Sequence, residues 1–391
     1  MKYLLLEWVA THSKKILSAI GVNIQMKYQE VPCGSLTSKD GHAVPMPSGT
    51  ITTIYRPSEI PFDRSGKCHY QIAFHLDSSW GYSLIPLTVM NGLRAPQAGS
   101  TPPGVAVFGG THGNEWEGQV AAKRLGCDLD PAELCGQIIV IPQFSESSCV
   151  ANQRISPLDG VNMNRAFPGN PSGTISYRIA NFVKTFIFPR VGVVIDLHSG
   201  GNEGAFPICT SFHAIPDPAQ RAEMARVARL FDTRFIMIYS SQMASGLLTD
   251  EAEAEGKITI GGEFGFAETV DRQGVKHAYE GVKNVLRHYE MLPGDIVKID
   301  LSRSTAPRFM SAENLSDYIP CPHDGIWEPL VDVGADVVDG ELLGRLHDFS
   351  NHAAEALEIR AHRTGILSTM HFGALCKRGA TLYVISKEVE F

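Results

Sequence analysis

Apolar runs that stop at glycine or at a single polar residue recur through the middle of the chain. GVAVFGG (104–110) leads into the helix-like stretch EWEGQVAAKRLGCDL. GQIIVIPQF, VGVVIDLHSGG, RFIMIYS and GKITIGGEFG are further runs of the same kind. Between and after them, AQRAEMARVARLFD repeats apolar residues at helical spacing, and GVKHAYEGVKNVLRHYEML reads as a closing helix. Strands this uniformly apolar are buried on both faces, and helices between them supply the cover. The pattern predicts an α/β domain over residues 101–300, with a mostly parallel or mixed sheet flanked by helices.

The flanks have a different texture. Residues 1–100 form a preamble with strand character in ITTIYRP, HYQIAFHL and YSLIPLTVMNG, followed by the loop LRAPQAGSTPPG. The start, MKYLLLEWVATHSKKILSAIGV, is broken by Glu7, Lys14 and Lys15. It falls short of the roughly 18 apolar residues of a membrane span and lacks a signal-peptide cleavage site. An amphipathic helix is expected there, packed on the body or on a second subunit, so homo-oligomerisation stays open. Over 301–391, PHDGIWEPLVDVGADVVDGELLGRLHD and AHRTGILSTMHFGALCKRGATLYVIS repeat one pattern of Gly-Ile, glycine, glycine and short apolar strand. A duplicated hairpin of this kind predicts a small all-β barrel-sandwich-like domain. The connecting FSNHAAEALE has no lysine, which argues against a carrier with a modified swinging arm.

Composition narrows the partners. The 391 residues are 43% hydrophobic and 19% charged, with net charge -8. An acidic balance disfavours nucleic acid and anionic membranes, which need basic faces. The eight cysteines are scattered without a C-x-x-C pair, as expected of reduced thiols. A cytoplasmic protein with a small-molecule partner is the corresponding expectation.

Candidate chemistry gathers at the ends of the apolar runs, where open parallel sheets bind ligands. His112 and Glu115 follow VAVFGG and, three apart at a helix start, share one face. By itself this spacing is equally met by a helix N-terminus carrying a favourable carboxylate. His198 ends another run. Two imidazoles and one carboxylate leave a fourth zinc position open for water, the pattern of a catalytic site. Asp196, two residues before His198, is placed to orient that imidazole or to serve as a capping residue. Asn164 and Arg165 lie in DGVNMNRAFPG, where an arginine fork suits a substrate carboxylate and a solvated turn is the alternative. Arg154 offers a cation for a developing oxyanion. Glu263 in ITIGGEFG is a candidate proton carrier, with Glu268 and Glu203 as competitors.

GGTHGNEWEG, RISPLDGVNMNRAFPG, DLHSGG and GEFG, in that order, resemble the succinylglutamate desuccinylase/aspartoacylase family of zinc carboxypeptidase-like proteins. The resemblance spans about residues 80–390 and is nearest in motif form to deacetylases of N-acetyl-diaminobutyrate. It implies one Zn2+ per chain on His112, Glu115 and His198. It also implies Glu263 as general base and then acid, Arg154 on the scissile carbonyl, and Asn164 with Arg165 on the substrate carboxylate. The expected activity is hydrolysis of an N-acyl, foremost N-acetyl, group on a small amino acid. The rivals are a carboxypeptidase, a metal-binding protein without catalysis, and a partner-docking role for the C-terminal domain. GEFGFAETV departs from the glycine-rich continuation expected after the glutamate, and the first 25 residues carry no resemblance.

Overall fold

A computed structural model describes residues 50–97, 101–240 and 245–391. The amphipathic helix expected at the N-terminus lies outside the described residues. Most of the apolar runs do form strands. Up to the last helix they are β1 Ile51–Ile54, β2 Gly66–His75, β3 Tyr82–Asn91, β4 Val105–Gly109, β5 Gln137–Ile141, β6 Val193–Leu197, β7 Gly204–Ala205, β8 Cys209–His213, β9 Phe235–Tyr239 and β10 Ile258–Glu263. The C-terminal strands are β11 Arg308–Ala312, β12 Tyr318–Pro320, β13 Gly325–Pro329, β14 Asp336–Val337, β15 Leu342–His347, β16 Leu357–Arg360, β17 Gly365–His371, β18 Leu375–Cys376 and β19 Thr381–Val389. The α-helices are α1 Trp116–Asp128, α2 Glu146–Ala151, α3 Ile175–Phe182, α4 Pro218–Arg229, α5 Leu248–Ala254 and α6 Arg272–His288.

One large sheet runs β1-β2-β3-β5-β4-β6-β10-β8-β9-β11-β19-β17-β14. Its centre, β5-β4-β6-β10, is parallel. It becomes mixed where β10, parallel to β6 over Ile258–Ile260, turns antiparallel to β8 over Gly261–Glu263. Strand alternation sorts the two faces. Val105 and Val107 enter the core with residues of α1, α4 and α6, whereas Ala106 and Phe108 enter the one with residues of α3 and α5. The ladder is continuous from β1–β3, read from sequence as part of a preamble, into the central strands. Residues 51–391 form one compact unit.

The duplicated C-terminal pattern has a clear structural meaning. In each repeat the first strand pairs with the third: β13 with β15, and β17 with β19. The short second strand pairs with the other repeat, β14 with β17 and β18 with β13. The two halves are thus interleaved around a core that includes Trp327, Leu346, Leu367 and Tyr383. Among the described residues no helix is long and apolar enough to cross a membrane. The seven described cysteines are free thiols.

Candidate active site

β4, β6 and β10 are neighbours, so their carboxyl ends converge. Past β4 the chain turns through Gly110, whose φ of 69° is costly for other residues. It then enters α1, which lies unusually close to the sheet. A Cβ on Gly109 would stand 2.5 Å from the Gly118 carbonyl oxygen, and one on Gly118 would stand 2.7 Å from the Leu197 Cβ. This glycine contact carries Glu115 to the end of β6. There His198 and Glu263 form a parallel bridge, with Phe264 N–H donating to the His198 carbonyl at 2.9 Å.

The structure brings His112, Glu115 and His198 together, with one candidate ligand atom from each within 4.8 Å of the others. His112 Nδ1 lies 2.7 Å from Glu115 Oε1, and His198 Nδ1 lies 2.8 Å from Glu115 Oε2. The far side of each ring is also held. His198 Nε2 sits 2.8 Å from Asp196 Oδ2, and His112 Nε2 sits 3.1 Å from Asn162 Oδ1. Carboxylate and amide oxygens only accept, so a proton on each Nε2 would satisfy Asp196 and Asn162 and leave the Nδ1 atoms, which face Glu115, as the ligand atoms toward a cation. Thr111 Oγ1 donates to the other Asp196 oxygen at 2.6 Å. Contacts of this type orient metal-ligating histidines. Two imidazole nitrogens and a carboxylate fit a zinc-type divalent ion with a position left for water.

The buried groups of this cluster shift one another's pKa values. In the protein alone, burial would raise the Glu115 pKa, but His112 and His198 hold it well below the usual range. Burial would lower that of His198, but Asp196 and Glu115 hold it well above. Burial foremost lowers that of His112. Glu263, the last residue of β10, is pushed up to about 8 by burial and then by the Glu115 charge. Its Oε2 is buried without a hydrogen-bond partner.

A cavity of about 480 Å³ joins these groups. Arg154 lines it, donating to Glu115 Oε1 at 3.0 Å, with its Nε 3.3 Å from Glu203. Glu203 is thus tied to an arginine, and Glu268 accepts from Asn114 at 3.0 Å. Of the three glutamates weighed in the sequence, Glu263 is the one with an unpartnered buried oxygen. Asn164 places Nδ2 3.4 Å from His198 Nε2 and accepts from the Leu248 N–H at 3.0 Å. Arg165 also lines the cavity. Sequence reasoning missed Asn162, the partner of His112. It also missed Tyr239 and the group His213, Asp250 and Glu253, which line the same cavity from β9, β8 and α5. Strand-end position could have flagged His213 and Tyr239. Nothing in the short α5 segment flagged the two acids.

The chain matches the succinylglutamate desuccinylase/aspartoacylase catalytic domain over residues 102–289. It is 31% identical to an N-alpha-acetyl-L-2,4-diaminobutyric acid deacetylase of Halomonas elongata over 315 residues, 80% of this chain and 89% of that protein. Among solved structures it resembles a succinylglutamate desuccinylase/aspartoacylase from Rhodobacter sphaeroides, with TM-score 0.79 and 29% identity over 85% of this chain and 98% of that one. It also resembles the product-bound ectoine utilization protein EutE of Ruegeria pomeroyi, with TM-score 0.77 and 28% identity over 84% of this chain and 98% of that one. With these relatives and the His112–Glu115–His198 geometry together, the chain belongs to the succinylglutamate desuccinylase/aspartoacylase family.

Proposed function

We propose that the protein is a zinc-dependent deacylase. It hydrolyses the amide of a small N-acyl amino acid, with Nα-acetyl-2,4-diaminobutyrate as the reference substrate. The observation that carries this reading is the buried, unpartnered Oε2 of Glu263 at the edge of the His112–Glu115–His198 group. The similarity to the Halomonas elongata deacetylase supports acetyl as the acyl group.

His112 Nδ1, His198 Nδ1 and Glu115 would hold the zinc. Once bound, zinc lowers the pKa of water to about 7 and polarises a carbonyl. Glu263 takes the proton from the attacking water and later gives it to the departing amine. A carboxyl whose pKa is lifted toward neutrality suits both transfers. Arg154 stabilises charge on the carbonyl oxygen as the tetrahedral species forms. Arg165 and Asn164 hold the substrate carboxylate, fixing the amide over Glu263.

The shape of the cavity favours a deacylase over a peptidase. Tyr318, Thr369, Met370, Thr381 and Val384 of the C-terminal β region form part of its wall. We read this wall as narrowing the cavity on one side, which suits a small substrate better than an extended peptide. About 480 Å³ is within the ordinary range of small-molecule sites. The test is Glu263→Gln with metal content and turnover measured together. Zinc should stay bound while kcat falls at least about a hundredfold, the lower range for a lost general base. Turnover near that of the unaltered protein would remove Glu263 from the role.

A further inference from the structure

The cavity has a second chemical pole, away from the metal group. His213 ends β8, and Glu263 and Gly261 of β10 oppose Cys209 and Ser211 of the same strand. Alternation therefore sets Glu263, Gly261 and Thr259 along one face of β10. Gly261, Ser211, Thr259 and Glu263 all line the same cavity, which therefore extends from the reaction centre to the far end. At that end Thr259 Oγ1 donates to Glu253 Oε1 at 2.5 Å, and His213 Nδ1 lies 3.0 Å from the same carboxylate. Burial opposes protonation of His213, but Glu253 raises its pKa, and both Glu253 oxygens lie 3.0 Å from His213 Nδ1.

Asp250 is the group left over. Three residues before Glu253 on α5, it shares that helix face. Its nearest charged partner is His213 Nδ1 at 3.5 Å, and its carboxylate is otherwise approached by the Leu247 backbone at the helix start. It lines the cavity. Burial foremost raises its pKa, the mark of an anion without enough compensation. Arg165 is near enough for Asp250 to oppose the lowering of its pKa by burial and Arg154. Yet among the described residues no salt bridge joins the two. A cation and an anion that face one cavity without pairing with each other form a receptor for a ligand that carries both charges.

We propose that Asp250 binds a free ammonium on the substrate side chain, so that the cavity selects N-acyl diamino acids over neutral and acidic ones. The inference rests on the deacylase reading of this cavity and deepens it. The Arg165 guanidinium takes the carboxylate, and Asp250 takes the ammonium.

Equilibrium binding tests it without turnover. The zinc-loaded full-length protein is titrated calorimetrically with L-2,4-diaminobutyrate and with L-norvaline, which has a methyl group in place of the ammonium. A hydrogen-bonded charge pair predicts about 10- to 100-fold tighter binding of diaminobutyrate. Asp250→Asn, shown to be folded by its melting temperature and metal content, should bring the ratio close to one. Equal binding by the unaltered protein, or a ratio that survives Asp250→Asn, would overturn the proposal. So would a second equivalent of zinc that Asp250→Asn abolishes, which would make this corner a cation site. If no N-acyl amino acid is hydrolysed, the deacylase reading fails, while the binding ratio still decides the role of Asp250.

Discussion

Gly118→Ala adds one methyl group at a residue that does not line the cavity, yet it should cost metal affinity. In the structure that methyl would meet the Leu197 Cβ at 2.7 Å and the Leu197 carbonyl oxygen at a still shorter distance. Ordinary contact begins at 3.4 Å. Both atoms belong to β6, held by β4 on one side and β10 on the other, so the strand has little room to yield. The helix must therefore retreat by about 1 Å to restore van der Waals separation. Glu115 is the N-cap of that helix and moves with it, whereas His198 stays with β6. Ligand distances in metal sites tolerate only about 0.2 Å. The expected result is at least about tenfold weaker zinc binding, as for loss of a metal-orienting contact. Overpacking should also cost about 1–3 kcal/mol of stability. Gly126→Ala, on the same helix, is the matched control. Its methyl meets only the Thr88 side chain, at 3.2 Å, so helix propensity should keep stability level or raise it by up to about 1 kcal/mol. The assay is competition with a zinc chelator of known affinity, alongside thermal melts. Unchanged zinc affinity in Gly118→Ala, in a folded protein, would refute the claim that the glycine contact sets the Glu115–His198 spacing.

Two further substitutions probe the supports of the site. Asp196→Asn removes the carboxylate that holds His198 Nε2 and should weaken zinc binding about 10- to 100-fold, read by the same competition; unaltered affinity would show that the ring is oriented by other contacts. Asp159 ties the Asn162–Arg165 loop to the start of α3, accepting from Thr174 Oγ1 at 2.7 Å and from the Ser176 N–H and hydroxyl, both at 2.9 Å. Burial raises its pKa, but these hydrogen bonds, that from the Ser176 N–H foremost, bring it below the usual value. Its contribution is therefore complete above the unfolded pKa of about 3.9 and is lost as pH falls through the lower folded value. Denaturant melts should show Asp159→Asn less stable by about 1 kcal/mol near pH 7, the partial exposure keeping it at the low end, with the gap closing in acid. A gap that widens in acid would contradict the assignment.

Much of this site was legible in the sequence because its parts sit where pattern changes. VAVFGG, VVIDL and ITIGGE are long enough apolar runs to be read as strands, and the polar residue that ends each becomes conspicuous. His112, Glu115, His198 and Glu263 were found in that way. Asp196 followed from strand alternation, and the structure sets it against His198 rather than in a capping role. The C-terminal duplication was equally visible, although the exchange of β14 and β18 between the halves was not, because two-residue strands leave no periodicity. The anionic corner was hidden for a related reason. α5 has only seven residues, with Leu248 and Ala252 as its buried positions, too few to show a helical repeat. β8 reads CTSFH, in which Ser211 and His213 sit at cavity-lining positions and interrupt any apolar run. Asn162 escaped because its role depends on how the loop folds back onto His112, which spacing does not encode.

The central claim is that a metal held by His112, Glu115 and His198 makes this cavity a deacylase. The most direct measurement is hydrolysis of Nα-acetyl-2,4-diaminobutyrate by the full-length protein before and after metal removal, followed by titration with zinc. The account predicts loss of activity on chelation and full recovery at one zinc per chain. Hydrolysis that persists in demonstrably metal-free protein, or a zinc-loaded protein that leaves every N-acyl amino acid intact, would contradict it.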